Sequence, residues 1–230
     1  MKMKNKRYLL CLAFLGMLLI GGMSAFADEP QKETLVLINT NMGKIKVKLY
    51  NDTPLHRENF IKHVNNKLYD GLLFHRVIRM FMIQAGDVNS KGAAPDVKLG
   101  EGDMGYTIPA EFMPEKHFHR RGALCAARTS DDVNPDKASS GSQFYIVTGK
   151  HYSEMDIDKY EKANNHKFTD EQRQAYMIDG GTPHLDGNYT VFGEVVSGMK
   201  VVDKIQFVET NLDDRPSKDV VIKSMKIVKK

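Results

Sequence analysis

The chain has 230 residues, 41% of them hydrophobic and 27% charged, with two cysteines. Its formal net charge of +4 sits at the start: four of the 33 basic side chains and none of the 29 acidic ones lie in residues 1–27. Residues 28–230 therefore balance at 29 of each sign, which argues against nucleic acid or an anionic membrane as a charge-driven partner. That length suits one domain, with or without an insertion, and is enough to bury a core without staples.

Lys2, Lys4, Lys6 and Arg7 open the chain, an apolar run covers Tyr8–Ile20, and Ala25-Phe26-Ala27 ends the segment. A charged start, a short apolar middle and a small-x-small end predict a secretory signal peptide, cleaved after Ala27. The run is shorter than the roughly 18–20 residues that cross a bilayer, so a permanent anchor is the weaker alternative. A lipid anchor has no suitable site, since Cys11 lies inside the run and no cysteine follows the small residues. The expectation is a periplasmic or secreted domain over 28–230, without stable membrane insertion after cleavage. Cys125 is its only thiol, which rules out an intrachain disulfide. Its setting, Ala123-Leu124-Cys125-Ala126-Ala127, reads as a buried strand rather than a catalytic thiol.

Thr34–Thr40 and Lys44–Tyr50 are predicted strands, the second alternating strictly between apolar and polar residues. Asn41-Met42-Gly43 is the turn between them, with Gly43 free to take positive φ. Asp52 or Thr53 is placed to cap a helix with Pro54 in its first turn. Phe60, Ile61, Val64 and Leu68 give that helix one apolar face. Residues 72–87 are expected to form two short strands broken near Arg79. Residues 88–121 are expected to be mainly loop, followed by strands Gly122–Thr129 and Ser142–Thr148 around a polar loop, Asp131–Gly141. Residues 150–182 are polar and lack a β-branched run. Tyr152–Lys162 is a candidate short helix there. Thr169-Asp170-Glu171-Gln172 is a capping box that should start another, stopped by Gly180-Gly181. Asp186-Gly187 is a hairpin signal leading into strand Thr190–Val196. A helix over Met199–Phe207 and a strand over Val220–Val228 complete the order. Eight strands with one early and one late helix fit a mainly β barrel closed by helices, with a helical insertion at about 150–182.

Four segments then come together: Phe74-His75-Arg76-Val77-Ile78, Phe81-Met82-Ile83-Gln84-Ala85-Gly86-Asp87, Gly141-Ser142-Gln143-Phe144-Tyr145-Ile146, and Leu185-Asp186-Gly187 with Val191-Phe192-Gly193. Their wording, order and spacing resemble the cyclophilin family, over about Thr34 to Val228. The resemblance implies an eight-stranded antiparallel barrel capped by two helices, acting as a peptidyl-prolyl cis/trans isomerase on the peptide bond before proline. It makes Arg76 the catalytic arginine, with His75 and Gln84 beside it in the catalytic site. It puts Phe81 and Met82 in the substrate pocket, Ala127 and Arg128 where backbone faces substrate, and Gln143 and Tyr145 on the third segment. Leu185 and Tyr189 fall on the far rim, next to His184. Three positions depart from the family pattern. Tyr145 stands where phenylalanine is common, Arg128 replaces a usual asparagine, and His184 stands where many members carry tryptophan. The last bears on cyclosporin-type inhibition rather than on isomerase activity.

The chemistry agrees with such a site. C–N resonance sets a barrier of about 18–20 kcal/mol to rotation before proline. No bond is made or broken, so no nucleophile, metal or cofactor is needed. In the twisted state the proline nitrogen gains a lone pair, and a fixed cationic donor stabilises that state more than the planar one. Arg76 is such a donor, since its guanidinium is always charged and rigidly forked. Gln84 is suited to orienting Arg76 or holding the substrate carbonyl, and Gln143 to bonding the substrate backbone. Phe81, Met82, Leu185 and the Tyr145 ring supply apolar walls.

His117-x-His119 resembles half a metal site, but no matching cysteine or carboxylate spacing supports it. A non-catalytic peptide-binding or chaperone module on the same fold is the main rival, with the set Arg76, Phe81, Gln84 and Gln143 against it. A barrel carrying a small apolar ligand is a third reading. The expected partners are proline-containing peptides and unfolded exported proteins, met as a monomer. The 150–182 insertion, directly before His184 and Leu185, is expected to flank the groove and select substrate proteins.

Overall fold

The computed structural model describes residues 33–229. The expected signal peptide and its cleavage point lie outside the described residues. Eight strands, β1 (Thr34–Thr40), β2 (Lys44–Leu49), β3 (Phe74–Ile78), β4 (Met82–Ala85), β6 (Ala123–Ala126), β8 (Phe144–Val147), β9 (Val191–Ser197) and β10 (Ile222–Lys229), form one antiparallel sheet in the order β10-β1-β2-β9-β6-β8-β4-β3. The sheet curls until its edges meet. Leu73 bridges Val221, Phe74 N–H donates to Val220 C=O at 2.8 Å, and Ile222 N–H donates to Leu72 C=O at 2.8 Å. Closure of this kind satisfies edge groups that would otherwise template aggregation. Six of the eight sheet strands fall inside the segments expected for them, and β9 and β10 each run one residue past theirs, to Ser197 and Lys229.

Strand alternation sorts the side chains into two layers. Phe74, Ile83, Leu124, Phe144 and Ile146 point inward, where they meet Val36, Ile38, Ile45, Val47 and Leu49. Helices α1 (Pro54–Asn65) and α4 (Met199–Gln206) close this core with Phe60, Ile61 and Val64 from one and Val202 and Ile205 from the other. Their positions match the early and late helices that were expected. Phe144 sits among Phe60, Tyr69 and Phe74, with ring centroids at 5.4, 5.4 and 6.4 Å and near-perpendicular planes. Met82, Cys125, Tyr145, Val147 and Val191 point outward into a second cluster. Cys125 is fully buried there, and burial pushes its thiol well above the ordinary range. That suits a packing residue and not a nucleophile.

Three local expectations need correction. Thr53 is the N-cap of α1, but its side chain makes no capping bond. The Glu111 carboxylate takes the backbone N–H of Leu55 and of His56, each at 3.0 Å. Asp52 instead pairs with Lys116 at 2.5 Å and His117 at 3.1 Å. The stretches expected as loop contain a two-residue ribbon, β5 (Thr107–Ile108) paired with β7 (Ser139–Ser140), too short to show a period. Asp186-Gly187 follows a 3₁₀ turn, Pro183–Leu185, and joins no strand pair, because β9 pairs with β2 and β6. Gly43 does take φ +138° in the β1–β2 turn, closed by Thr40 N–H to Gly43 C=O at 2.8 Å.

Residues 150–182 form two helices, α2 (Glu154–Asn164) and α3 (Asp170–Ile178). Both start on reciprocal capping boxes, Ser153 with Asp156 and Thr169 with Gln172, so each pair satisfies two orphan donors. Ile157, Phe168 and Tyr176 pack with Phe118 into a small core of their own. Gln172 reaches back to Pro114 C=O at 2.8 Å and Tyr160 to Pro183 C=O at 3.2 Å. No helix among the described residues is long and apolar enough to cross a membrane.

Candidate active site

The site lies on the outer face of the sheet, where register aligns one residue from each of five neighbouring strands. Arg76 on β3 pairs with Gln84 on β4, Gln84 with Tyr145 on β8, Tyr145 with Cys125 on β6, and Cys125 with Val191 on β9. This row exists because β3 is bulged. Its pairing shifts between Phe74 and Arg76, so His75 is the extra residue and Arg76 is turned to the outer face with Gln84.

Nine of the twelve candidate residues line one cavity of about 240 Å³: Arg76, Phe81, Met82, Gln84, Ala127, Arg128, Tyr145, Leu185 and Tyr189, joined by Gly100. Phe81, Met82 and Leu185 supply apolar wall, and Arg76, Gln84 and Arg128 bring polar groups to the same cavity. The Arg76 side chain is 43% exposed, and its Nε lies 3.5 Å from Asp214 Oδ2. Asp214 is held at φ +60°, and its C=O accepts from Val77 N–H at 2.8 Å. The loop is fixed by its neighbour Arg215, a buried guanidinium donating to the carbonyls of Ala94 and Val97 at 2.7 and 2.8 Å. Asp214 orients Arg76 more than it stabilises the fold, since an ion pair this exposed contributes about 0–1 kcal/mol. Nothing in the local sequence marks Asp214, which arrives from 138 residues away.

Gln143 lines an adjoining cavity of about 260 Å³ that shares Gln84, Gly100, Ala127 and Arg128 with the first. Its amide nitrogen donates to Gly100 C=O at 2.9 Å and Gly102 C=O at 2.8 Å, and its oxygen accepts from Gln84 Nε2 at 2.9 Å. The two carbonyls accept only, so they assign the orientation of both amides in turn. Gln143 is thus committed to the loop and to Gln84, where a bond to the substrate backbone had been expected. Gln84 is left with its carbonyl oxygen for Arg76 or substrate. Arg128 does more than present backbone. Its side chain covers the Tyr189 ring, 4.4 Å from the centroid, and donates to Asn188 C=O at 2.8 Å. His184 stays outside the cavity lining and stacks on the back of Phe81, with centroids 5.7 Å apart. Burial holds it below the ordinary histidine range.

His75 does not line the cavity either. It is 2% exposed, behind Gly100, whose position lies 3.9 Å from its Nε2 if a Cβ is placed there. Its contribution is the bulge that aims Arg76. Burial pushes the His75 pKa down to about 4. The folded protein therefore favours the neutral ring, and this contribution is fully present above the unfolded value of about 6.5 and is lost as pH falls towards 4. The expected loss is about 2–3 kcal/mol. Urea midpoints at pH 7 and pH 4 should fall further in the wild type than in His75→Gln; parallel declines would show that another group sets the acid limit.

The residues of the half metal site part company. His117 stacks on Tyr50 at 3.9 Å between centroids and bonds Asp52, while His119 faces Asp186 and Tyr145.

Comparison with known proteins decides the family. Residues 35–227 match the model of the cyclophilin type peptidyl-prolyl cis-trans isomerases. The chain belongs to this family. As a cyclophilin-type chain it is a peptidyl-prolyl cis-trans isomerase. A putative peptidyl-prolyl cis-trans isomerase of Staphylococcus haemolyticus (strain JCSC1435) is 35% identical over 196 residues, 85% of this chain and 91% of that protein. One from Staphylococcus aureus (strain COL) is 35% identical over 201 residues, 87% and 94% of the two chains. Among solved structures, a Cryptosporidium parvum cyclophilin type peptidyl-prolyl cis-trans isomerase covers 85% of this chain and 98% of its own, with a TM-score of 0.61 at 23% identity. The same protein solved in the presence of the dipeptide Ala-Pro gives a TM-score of 0.60 at 23% identity, covering 84% of this chain and 98% of its own. The cyclophilin fold is shared with both.

Proposed function

We propose that Arg76 drives isomerisation of X-Pro bonds in the 240 Å³ cavity, on exported proteins that are still folding. The observation that carries this reading is the row Arg76, Gln84 and Tyr145 across three paired strands, beside the apolar walls of Phe81, Met82 and Leu185. The walls hold the proline ring. The guanidinium, oriented by Asp214, donates to the proline nitrogen as the amide twists and its lone pair develops. That donor is stronger in the twisted state than in either planar one, which is the condition for lowering the barrier. The same arrangement favours catalysis over passive peptide holding, because an apolar groove alone would hold a peptide without a fixed cation.

An Ala-Pro peptide is the natural probe. The mature chain should speed its cis/trans exchange above the uncatalysed timescale of roughly tens to hundreds of seconds, and an unchanged rate contradicts the reading.

Export belongs to the same proposal. The charged start, apolar run and Ala25-Phe26-Ala27 support a signal peptide on a bacterial-type enzyme acting outside the cytoplasm. N-terminal sequencing of the exported protein should begin at Asp28; a retained Met1 would refute it. The helices of 150–182 support an insertion flanking the groove, since Tyr160 bonds Pro183 and His184 backs Phe81.

A further inference from the structure

The apolar pocket has a polar backing that the isomerase reaction itself does not require. Tyr145 places its ring in the pocket wall and its hydroxyl 3.0 Å from His119 Nε2. His119 is 1% exposed. Its Nδ1 lies 2.8 Å from Asp186 Oδ1, and its backbone N–H donates to the same oxygen at 2.8 Å. The other Asp186 oxygen takes the hydroxyl of Tyr176. Tyr176 is a fully buried residue of α3, packed against Phe118 and Phe168 in the core of the helical segment.

Hydrogen-bond polarity runs one way along this chain. A carboxylate accepts only, so Tyr176 O–H and His119 Nδ1–H both donate to Asp186. In the neutral ring His119 Nε2 is then the acceptor for Tyr145 O–H. The hydroxyl that distinguishes Tyr145 from phenylalanine is thereby drawn out of the pocket, and the ring is held by two further contacts. His119 lies nearly coplanar with it, 16° between planes, and Tyr189 meets it edge-on at 6.0 Å and 82°.

We propose that Tyr176, Asp186 and His119 are positioning residues through which α3 sets the Tyr145 wall of the proline pocket. The proposal rests on the isomerase reading of that pocket. It gives the helical segment a direct physical connection to catalysis: substrate contacts that shift α3 are felt at Tyr145 through three hydrogen bonds.

The test is a double-mutant cycle on exchange of an Ala-Pro peptide. Tyr176→Phe removes one hydroxyl and keeps the packing. It should lower kcat/KM about threefold to tenfold, mainly through KM, the range of coupling between residues in one network. In the Tyr145→Phe background the same change should have no further effect, because the chain is already cut at its pocket end. His119→Gln should behave as Tyr176→Phe does, and it keeps the cycle readable if either variant folds poorly. Thermal midpoints provide the control, since a purely structural Tyr176 would lower them equally in both backgrounds while kcat/KM effects multiplied. Multiplying effects, or no effect of Tyr176→Phe on an active enzyme, overturn the chain and leave the isomerase reading standing. An inactive wild type overturns both.

Discussion

Arg76→Ala should lower kcat/KM for an Ala-Pro peptide about 10²–10³-fold, the loss that follows removal of one key electrostatic donor. The fall should be in kcat more than in KM, since the donor acts on the twisted amide and the ring is held by Phe81, Met82 and Leu185. The thermal midpoint should hardly move. The side chain is 43% exposed, and its ion pair with Asp214 is equally open to water, a setting in which such pairs contribute little to stability. Arg76→Lys should recover only part of the rate, because lysine keeps the charge and loses the rigid fork. Equal activity in Arg76→Ala and wild type would remove the arginine from the mechanism.

Gly86→Ala should be the most disruptive conservative change in the site. Gly86 follows β4 at φ +95°, in the region where a side chain is strained. A Cβ there would lie 2.2 Å from Ser142 C=O and 2.8 Å from the Gln143 Cα, both backbone atoms. Strain and clash together should cost about 3 kcal/mol or more of stability. The forced movement also parts Gln143 from Gln84, whose bond is 2.9 Å long. The variant should therefore lose both urea resistance and kcat/KM. An unchanged urea midpoint would mean that β4 and β8 separate there at no cost.

What the sequence revealed of this molecule depends on distance along the chain. Strict alternation in Lys44–Leu49 and the mixed apolar run of residues 72–87 expose the strands, because the period is local. The capping box at Thr169 is legible for the same reason. Glu111 is not legible as the cap of α1, since it lies 56 residues from Leu55 and reaches it only in the folded chain. Asp186-Gly187 carries a turn signal, yet its carboxylate is used by His119 and Tyr176. The ribbon of Thr107–Ile108 with Ser139–Ser140 is too short to carry any pattern.

The site divides along the same line. Most of its walls sit in four motif segments, so the resemblance finds them together. Their roles within the site are a matter of geometry. His75 turns out to shape the bulge, Gln143 to brace the loop at Gly100 and Gly102, and His184 to support Phe81 from behind. Asp214 and His119 lie outside the motifs in sequence, and Asp186, though inside the fourth, was read only as a turn residue, so none was visible as a partner of Arg76 or of the Tyr145 network.

The most direct measurement is the exchange rate of an Ala-Pro peptide by NMR, taken with the wild-type protein and with Arg76→Ala at equal concentration. The wild type should bring cis and trans signals into fast mutual exchange, while the variant leaves them close to the rate of the peptide alone. Exchange no faster with the wild type than without protein would contradict the isomerase function itself. Equal acceleration by both proteins would place the reaction elsewhere than at Arg76.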